Sequence, residues 1–298
     1  MIEEGIMYWV VLPTIYIVLG VIILALAKLI NDWTTPYCVD TQLAKEDNPA
    51  LAVSFVGYML SVVAIFIGAL TGPSQGLVID IGLTALYSVF GIILLNVSRV
   101  INDKFILSQF CNVKEIVEDR NIGTGAVQFG SYGAAGLIVA GSIQGNLTPI
   151  GEIPNSWLNT WYGGFVTALV FFSLGQIVLV LFSRVYDWIT PFSIHDEIES
   201  DNVAAGIAFG GALLANGIVL MQASSGTFID WGTNLGKFAA EAAALLVLLP
   251  FVRYIYDKFV YAKIDLNDEI SKDRNIGAGF LEAGGLIGFA LIFIAALA

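Results

Sequence analysis

The sequence predicts an all-α integral membrane protein with eight transmembrane helices. They form four parallel-related helical hairpins, grouped into two homologous four-helix halves. Three observations carry this reading. The 298 residues are 57% hydrophobic and only 13% charged, with a mean hydropathy of +0.81. A soluble domain carries about 25% charged residues, so the polar surface that a soluble fold needs is missing. Eight apolar runs are each long enough to cross a bilayer, which takes about 20 residues in a helix. A loop-to-helix string, Asp-Arg-Asn-Ile-Gly-x-Gly, occurs at 119–125 and again at 273–279.

The first run, 6–30, is too long for a signal-peptide core and follows Glu3 and Glu4 rather than a basic segment, so it reads as a span. The others are 50–70, 77–100, 122–143, 161–185, 203–221, 238–255 and 276–298. Odd runs are followed by long charged loops. Even runs are followed by turns rich in Gly, Pro, Ser and Asn, at 71–76, 145–160 and 224–236. The unit is therefore a pair of helices joined by a charged loop. Each odd helix ends in an aspartate: Asp32, Asp103, Asp187 and Asp257. Asp-Trp-x-Thr-Pro follows the first and third, and Asp-Lys-Phe marks the second and fourth. Asp32 and Asp187 are 155 residues apart, Asp103 and Asp257 are 154 apart, and so are Asp119 and Asp273. Weaker entry strings lie at 46–50 and 200–204. This spacing divides the chain into repeats at 1–150 and 151–298. Four equivalent loops, each after an odd number of spans, lie on one side. The repeats are thus parallel, related by an axis along the membrane normal, rather than inverted.

Twelve of the 13 basic residues lie in or beside the charged loops, the exception being Lys237. The positive-inside rule then places those loops in the cytoplasm and both termini outside, in a cell (inner) membrane. Trp157, Trp161 and Trp231 suit the outer interface, and Trp33 and Trp188 the inner one.

The net charge of -12 and the lack of any basic run argue against nucleic acid. Cys38 and Cys111 fall in polar loops without C-x-x-C spacing and read as free thiols. A lone histidine, His195, builds no metal centre. No cofactor, catalytic triad or metalloprotease motif is seen, so the chain is not read as an enzyme. The expected partners are the lipid bilayer, a peripheral cytoplasmic protein and further copies of the chain.

The paired Asp-Arg-Asn-Ile-Gly strings, the preceding Asp-Lys-Phe and the four-helix half resemble the YjfL-type bacterial inner-membrane family, domain of unknown function 350, in two tandem copies. In the first and third hairpins the likeness is weaker, because Pro49 and Val203 replace the isoleucine and the arginine is absent. The resemblance implies a multi-pass bacterial membrane protein and no settled activity.

Three groups of residues are candidates for function. The first is an intramembrane polar set: Glu282, Glu241, Gln128 and Asn96, with Gln176 and Asn216 also at depth. Glu282 lies eight residues past Arg274, about 12 Å along a helix. Its repeat counterparts are Gln128, Phe55 and Phe209; those of Glu241 are Tyr16, Tyr87 and Phe171. Carboxylates in hydrocarbon are costly and mark either a proton or cation pathway or a polar pair between helices. Lys237, one turn from Glu241, offers such a pair. The second group is the loop motif: Asp103, Asp119, Arg120, Asn121, Asp257, Asp273, Arg274 and Asn275. It reads as capping and anchoring, with Asp119 and Asp273 as caps and Lys28, Arg99 and Arg253 four residues before an aspartate. It reads alternatively as a docking face, because apolar pairs such as Val39/Leu43, Val113/Ile116, Ile194/Ile198 and Leu266/Ile270 suggest a short interfacial helix in each loop. The third group comprises Gly123, Gly125, Gly277, Gly279, Gly284 and Gly288. Small residues at this spacing let membrane helices approach closely. No strand precedes these glycines and no lysine follows them, which argues against a phosphate cradle. Two functions follow: a scaffold with a cytoplasmic docking face, or a channel or transporter for a proton, small cation or polar solute working through Glu282 and Glu241. Pro250 could kink the seventh run.

Overall fold

The computed structural model describes residues 7–72, 74, 76–144, 163–226, 228–261 and 263–297. Trp157, Trp161, the whole 145–160 turn and the boundary at 150 lie outside the described residues. Eight described helices are long and apolar enough to cross a membrane. In chain order, α1 (Leu12–Thr34), the short α2 (Val39–Ala44) and α3 (Pro49–Leu70) make the first unit. The second is α4 (Leu77–Ile101), α5 (Asn112–Val117) and α6 (Ile122–Gln144). The third is α7 (Gly163–Ile189), α8 (Ile194–Glu199) and α9 (Val203–Ser224), and the fourth α10 (Trp231–Ile255), α11 (Leu266–Ser271) and α12 (Ile276–Leu297). Each charged loop thus carries one six-residue helix. A π-helical turn extends the second and fourth units' first helices at Asn102–Ile106 and Tyr256–Val260.

One local feature differs from the sequence expectation. Helix α10 begins seven residues before the apolar run at 238. The Asp230 carboxylate accepts bonds from the Thr233 N–H at 2.9 Å and the Thr233 hydroxyl at 2.7 Å, and this cap starts the helix inside a stretch that reads as a turn. Helix α10 also continues past Pro250 to Ile255. Pro49, by contrast, sits at the start of α3, where its missing N–H costs nothing.

The packing is a row. The main helix–helix contacts run α3 to α6, α6 to α9 and α9 to α12, with α3 and α12 at its ends. These four helices run in the same direction. Helix α4 lies against α3 and α6, α7 against α6 and α9, and α10 against α9 and α12. Helices α6 and α9, in the middle, are the most buried spans. The junction between the two halves, α6 to α9, is thus of the same kind as the junctions within them.

Glycine makes the row close. A Cβ on Gly125 would lie 2.5 Å from the Ala50 carbonyl oxygen, and one on Gly57 would lie 2.5 Å from the Phe129 Cα. One on Gly279 would fall on the Ala204 carbonyl, and one on Gly130 on the Gly210 carbonyl. With no hydrophobic drive between helices in lipid, such backbone contact is what holds neighbours together.

Candidate functional site

The charged face is built from one device used four times. The residue two before the start of each row helix has a left-handed backbone: Asp47 (φ 47°), Arg120 (φ 53°), Asp201 (φ 59°) and Arg274 (φ 50°). That turn brings an asparagine to the N-terminus of the helix. The Oδ1 atoms of Asn48, Asn121, Asn202 and Asn275 accept from the N–H groups of Leu51, Thr124, Ala205 and Gly277, at 3.0, 2.8, 3.2 and 2.9 Å. Each Nδ2 donates back to the short helix of its own unit: Gln42 at 2.9 Å, and Glu115, Glu197 and Glu269 at 2.8 Å. Three of the four also reach the next unit. Asn48 donates to the Ile116 carbonyl at 2.8 Å, Asn121 to Ile198 at 2.6 Å and Asn202 to Ile270 at 2.8 Å. The amides therefore stitch α2, α5, α8 and α11 into a continuous row. The caps are these asparagines and not Asp119 and Asp273, because the left-handed residue carries the chain past the aspartate before the helix starts. Asp119 instead pairs with Lys114 at 2.7 Å.

The arginines of the motif reinforce the same joints. Arg120 pairs with Glu46 at 2.8 Å, and Arg274 donates to the Ser200 hydroxyl at 2.8 Å and its carbonyl at 3.1 Å. The aspartates ending the first helix of each unit tie down the following short helix. Asp32 accepts from the Val39 N–H, Asp257 from the Leu266 N–H and Asp103 from the Asn112 amide; the Asp187 carboxylate lies 3.7 Å from His195 Nδ1. Lys28 pairs with Asp32 at 3.1 Å as its spacing predicts, and with Asp40 at 2.6 Å. Asp32, Asp40 and Cys38 are close enough to face one ion, but the Lys28 ammonium already supplies the countercharge to both carboxylates. Burial pushes the Glu115 carboxyl above its ordinary range, against the opposing pull of the Asn121 amide.

The intramembrane residues do not converge. Glu282 on α12 has its side chain 3% exposed, and Oε1 accepts from Arg253 Nε at 2.6 Å and from the Tyr186 hydroxyl at 2.5 Å. Arg253 also donates to Thr190 at 3.2 Å and Asn267 at 3.0 Å, and its guanidinium carbon lies 4.9 Å from the Tyr186 ring centroid. Arg253, expected to face Asp257, turns instead into the protein toward Glu282, and Asp257 pairs with Lys258 at 3.0 Å. A cavity of about 280 Å³ lies beside the Arg253–Glu282 pair, lined also by Pro250, Tyr254 and Asn267. The first half repeats the position on a smaller scale: Arg99, Asp103 and Gln128 line a space of about 10 Å³, and Gln128 accepts from Ser54 at 2.6 Å. Arg99 there donates to the Thr34 carbonyl at 2.7 Å.

Glu241 lies 3.9 Å from Lys237, which also donates to the carbonyls of Gln222 and Ser225 at the far end of α9. Twelve residues of α10 separate Glu241 from Arg253, about 18 Å of axial rise. Asn96 belongs to a third cluster, donating to the Tyr58 hydroxyl at 3.2 Å and accepting from Thr34 at 3.0 Å. The Gln176 amide is buried in α7 with no hydrogen-bond partner among the described residues.

Sequence reasoning missed the Arg253–Glu282 pair, although a signal was present. Arg99 and Gln128 stand 154 residues before Arg253 and Glu282, so the acid appears where an arginine already faces its position.

This row of spans, with satisfied polar joints on one face, defines a polytopic α-helical membrane protein of tandem-repeat build. The chain belongs to the family described as Domain of Unknown Function (DUF350), which matches twice, at residues 6–143 and 160–297. It is similar to UPF0719 transmembrane protein YshE of Bacillus subtilis (strain 168), 24% identical over 142 residues that cover 46% of this chain and 97% of that protein. One copy of that relative thus corresponds to one half here. No solved structure matches the chain.

Proposed function

We propose that the chain is a membrane scaffold whose charged face lies in the cytoplasm and docks a peripheral protein with a basic surface. The observation that carries this is the stitched row of short helices. The asparagine amides hold α2, α5, α8 and α11 as one surface rather than four independent loops. The four loop segments 32–48, 103–121, 187–202 and 257–275 carry 18 Asp and Glu against eight Lys and Arg, and the third has no Lys or Arg at all. A rigid surface with that excess of negative charge favours a cationic partner by electrostatic steering. The transporter reading is less well supported, because Glu282, Glu241, Gln128 and Asn96 fall into separate clusters with partners of their own.

Two measurements test the proposal in order. Cys38 and Cys111 are both exposed on the charged face. A membrane-impermeant maleimide should label them in inside-out vesicles and not in sealed, right-side-out cells. The reverse pattern would put the docking face outside and end the proposal. A photo-crosslinking residue placed at Glu199 should then capture a basic protein. Capture should be lost in high salt and on neutralising Asp196, Glu197 and Asp201 together. A crosslinking pattern indifferent to both would remove the docking role.

A further inference from the structure

The two halves accommodate the same arginine in different ways. Repeat spacing of 154 matches Arg99, Asn102, Gln128 and Ser131 to Arg253, Tyr256, Glu282 and Gly285. In the second half the Glu282 carboxylate accepts from Arg253 Nε at 2.6 Å, and Thr190 and Asn267 take its other nitrogens at 3.2 and 3.0 Å. The Tyr256 ring lies against Gly285, where a Cβ would stand 2.6 Å from its Cε1. In the first half these groups change together. Gln128 replaces the carboxylate, and its Oε1 already accepts from Ser54 at 2.6 Å. Asn102 and Ser131 replace the ring and the glycine, so an amide and a hydroxyl stand where the second half has an apolar contact. Val113 stands at the position of Asn267.

Three of these first-half side chains each hold a buried polar atom without a hydrogen-bond partner among the described residues. They are Arg99 Nη1, the Oδ1 of Asn102 (5% exposed) and the hydroxyl of Ser131 (3% exposed). All three residues line the same space of about 10 Å³. Ser61 and Ser88 donate their hydroxyls to the carbonyl four residues back, at 2.7 and 2.6 Å, and Ser131 makes no such bond. Buried polar atoms nearly always find a partner, because an unmade bond there leaves the desolvation uncompensated. Three around one small space therefore mark a site.

Their donor and acceptor roles choose the occupant. Arg99 Nη1 only donates, Asn102 Oδ1 only accepts, and the Ser131 hydroxyl does either. A halide would accept from Arg99 and Ser131 but face the Asn102 oxygen and the Asp103 carboxylate, which lines the same space. A metal ion would take the oxygens but face the guanidinium. A water satisfies donor and acceptor together. The size agrees: one water needs about 10–15 Å³, and a buried water has about three polar partners.

We infer that this space is a binding site for one water molecule, which accepts from Arg99 Nη1 and donates to Asn102 Oδ1, with the Ser131 hydroxyl as its third partner. The water does for Arg99 what the Glu282 carboxylate does for Arg253. Held at Nη1, the guanidinium keeps Nη2 on the Thr34 carbonyl at 2.7 Å, so α1, α4 and α6 meet at one hydrated joint near the charged face.

The test is a crystal structure of the full-length protein grown in sodium bromide, at a resolution that shows ordered water. The expected result is a density peak within hydrogen-bonding distance of Arg99 Nη1, Asn102 Oδ1 and Ser131 Oγ, with no anomalous signal at the bromine edge. An anomalous peak would make this a halide site and overturn the inference, and so would a space with no density. In solution, Ser131→Ala takes one partner from the water and should lower the melting midpoint. Ser88→Ala removes a hydroxyl bonded only within its own helix and should lower it much less. Equal shifts would overturn the role given to the water.

Discussion

Removing the Arg253 guanidinium should expose how much of the second half depends on one buried ion pair. In Arg253→Met the Glu282 carboxylate keeps only the Tyr186 hydroxyl, in a side-chain environment 3% exposed. Stripping one partner from a buried pair costs about 3–5 kcal/mol, because the remaining charge is left without compensation. The lost bonds to Thr190 and Asn267 add to the upper part of that range. Glu282→Gln is milder. A glutamine carbonyl still accepts from Arg253 Nε and from Tyr186, and the first half already operates with Arg99 beside Gln128. Losing the charge-assisted component there should cost about 1–2 kcal/mol. If the two side chains act as one unit, Arg253→Met/Glu282→Gln removes the stranded charge and lies close to the milder single variant. The double should then be at least about 2 kcal/mol more stable than the sum of the singles. Equilibrium unfolding of the purified protein in mild detergent, titrated with a denaturing detergent and followed by helical circular dichroism, measures all four corners of the cycle. Single-variant effects that add to within about 0.5 kcal/mol would refute the coupling. The Arg253–Glu282 contact would then be an incidental contact between independently solvated groups.

Three further outcomes follow from the charged face. Asn202→Ala removes a cap, the bond to Glu197 and the buried bond to Ile270, so it should cost about 2–3 kcal/mol, against about 1 kcal/mol for Asn275→Ala, which removes the cap and the exposed bond to Glu269 only; equal shifts in thermal unfolding would deny the stitching role. Glu115 has its folded-state affinity for a proton raised by burial, so its contribution to stability is present at pH below the ordinary carboxyl value and is lost as pH climbs through the raised one. Glu115→Gln, which copies Gln42 of the first unit, should therefore flatten the pH dependence, with the two stability curves meeting in acid and parting toward neutral pH in favour of the variant; parallel curves would contradict it. Asp201 adopts a left-handed backbone with a side chain that makes no hydrogen bond among the described residues, so Asp201→Gly should relieve about 1 kcal/mol of strain and raise the unfolding midpoint, whereas a lower midpoint would locate the stabilisation in the carboxylate itself.

The architecture was readable because membrane insertion leaves a coarse signal. Runs of about 20 apolar residues and loops at 154-residue spacing are long patterns that single substitutions do not erase. The start of α10 was not readable, because Asp230 initiates the helix among Gly232, Asn234 and Gly236, residues that resemble a turn in isolation. The capping residue was misassigned for a related reason. Aspartate and asparagine both cap helices, and only the left-handed backbone at Arg120 and Arg274 decides which of the two reaches the N–H groups. The Arg253–Glu282 contact spans 29 residues and two helices, whereas the sequence offered a nearer carboxylate four residues away at Asp257. Local spacing competes poorly with a buried acid on a neighbouring helix. The same holds for the amides of Asn48, Asn121 and Asn202, whose bonds reach across 68 to 77 residues.

Those amides also give the chain a direction of assembly. The cap at Asn48 is complete only when the Ile116 carbonyl arrives, Asn121 waits for Ile198, and Asn202 for Ile270. During synthesis each newly inserted hairpin therefore leaves the translocation site with an open donor at its rim, which the next hairpin closes. Insertion in this scheme is a ratchet running from the amino end. A chain halted after its second or third hairpin leaves the amide of Asn121 or Asn202 without the carbonyl that the next hairpin brings, so a stalled row is marked by an unmade bond at its newest edge.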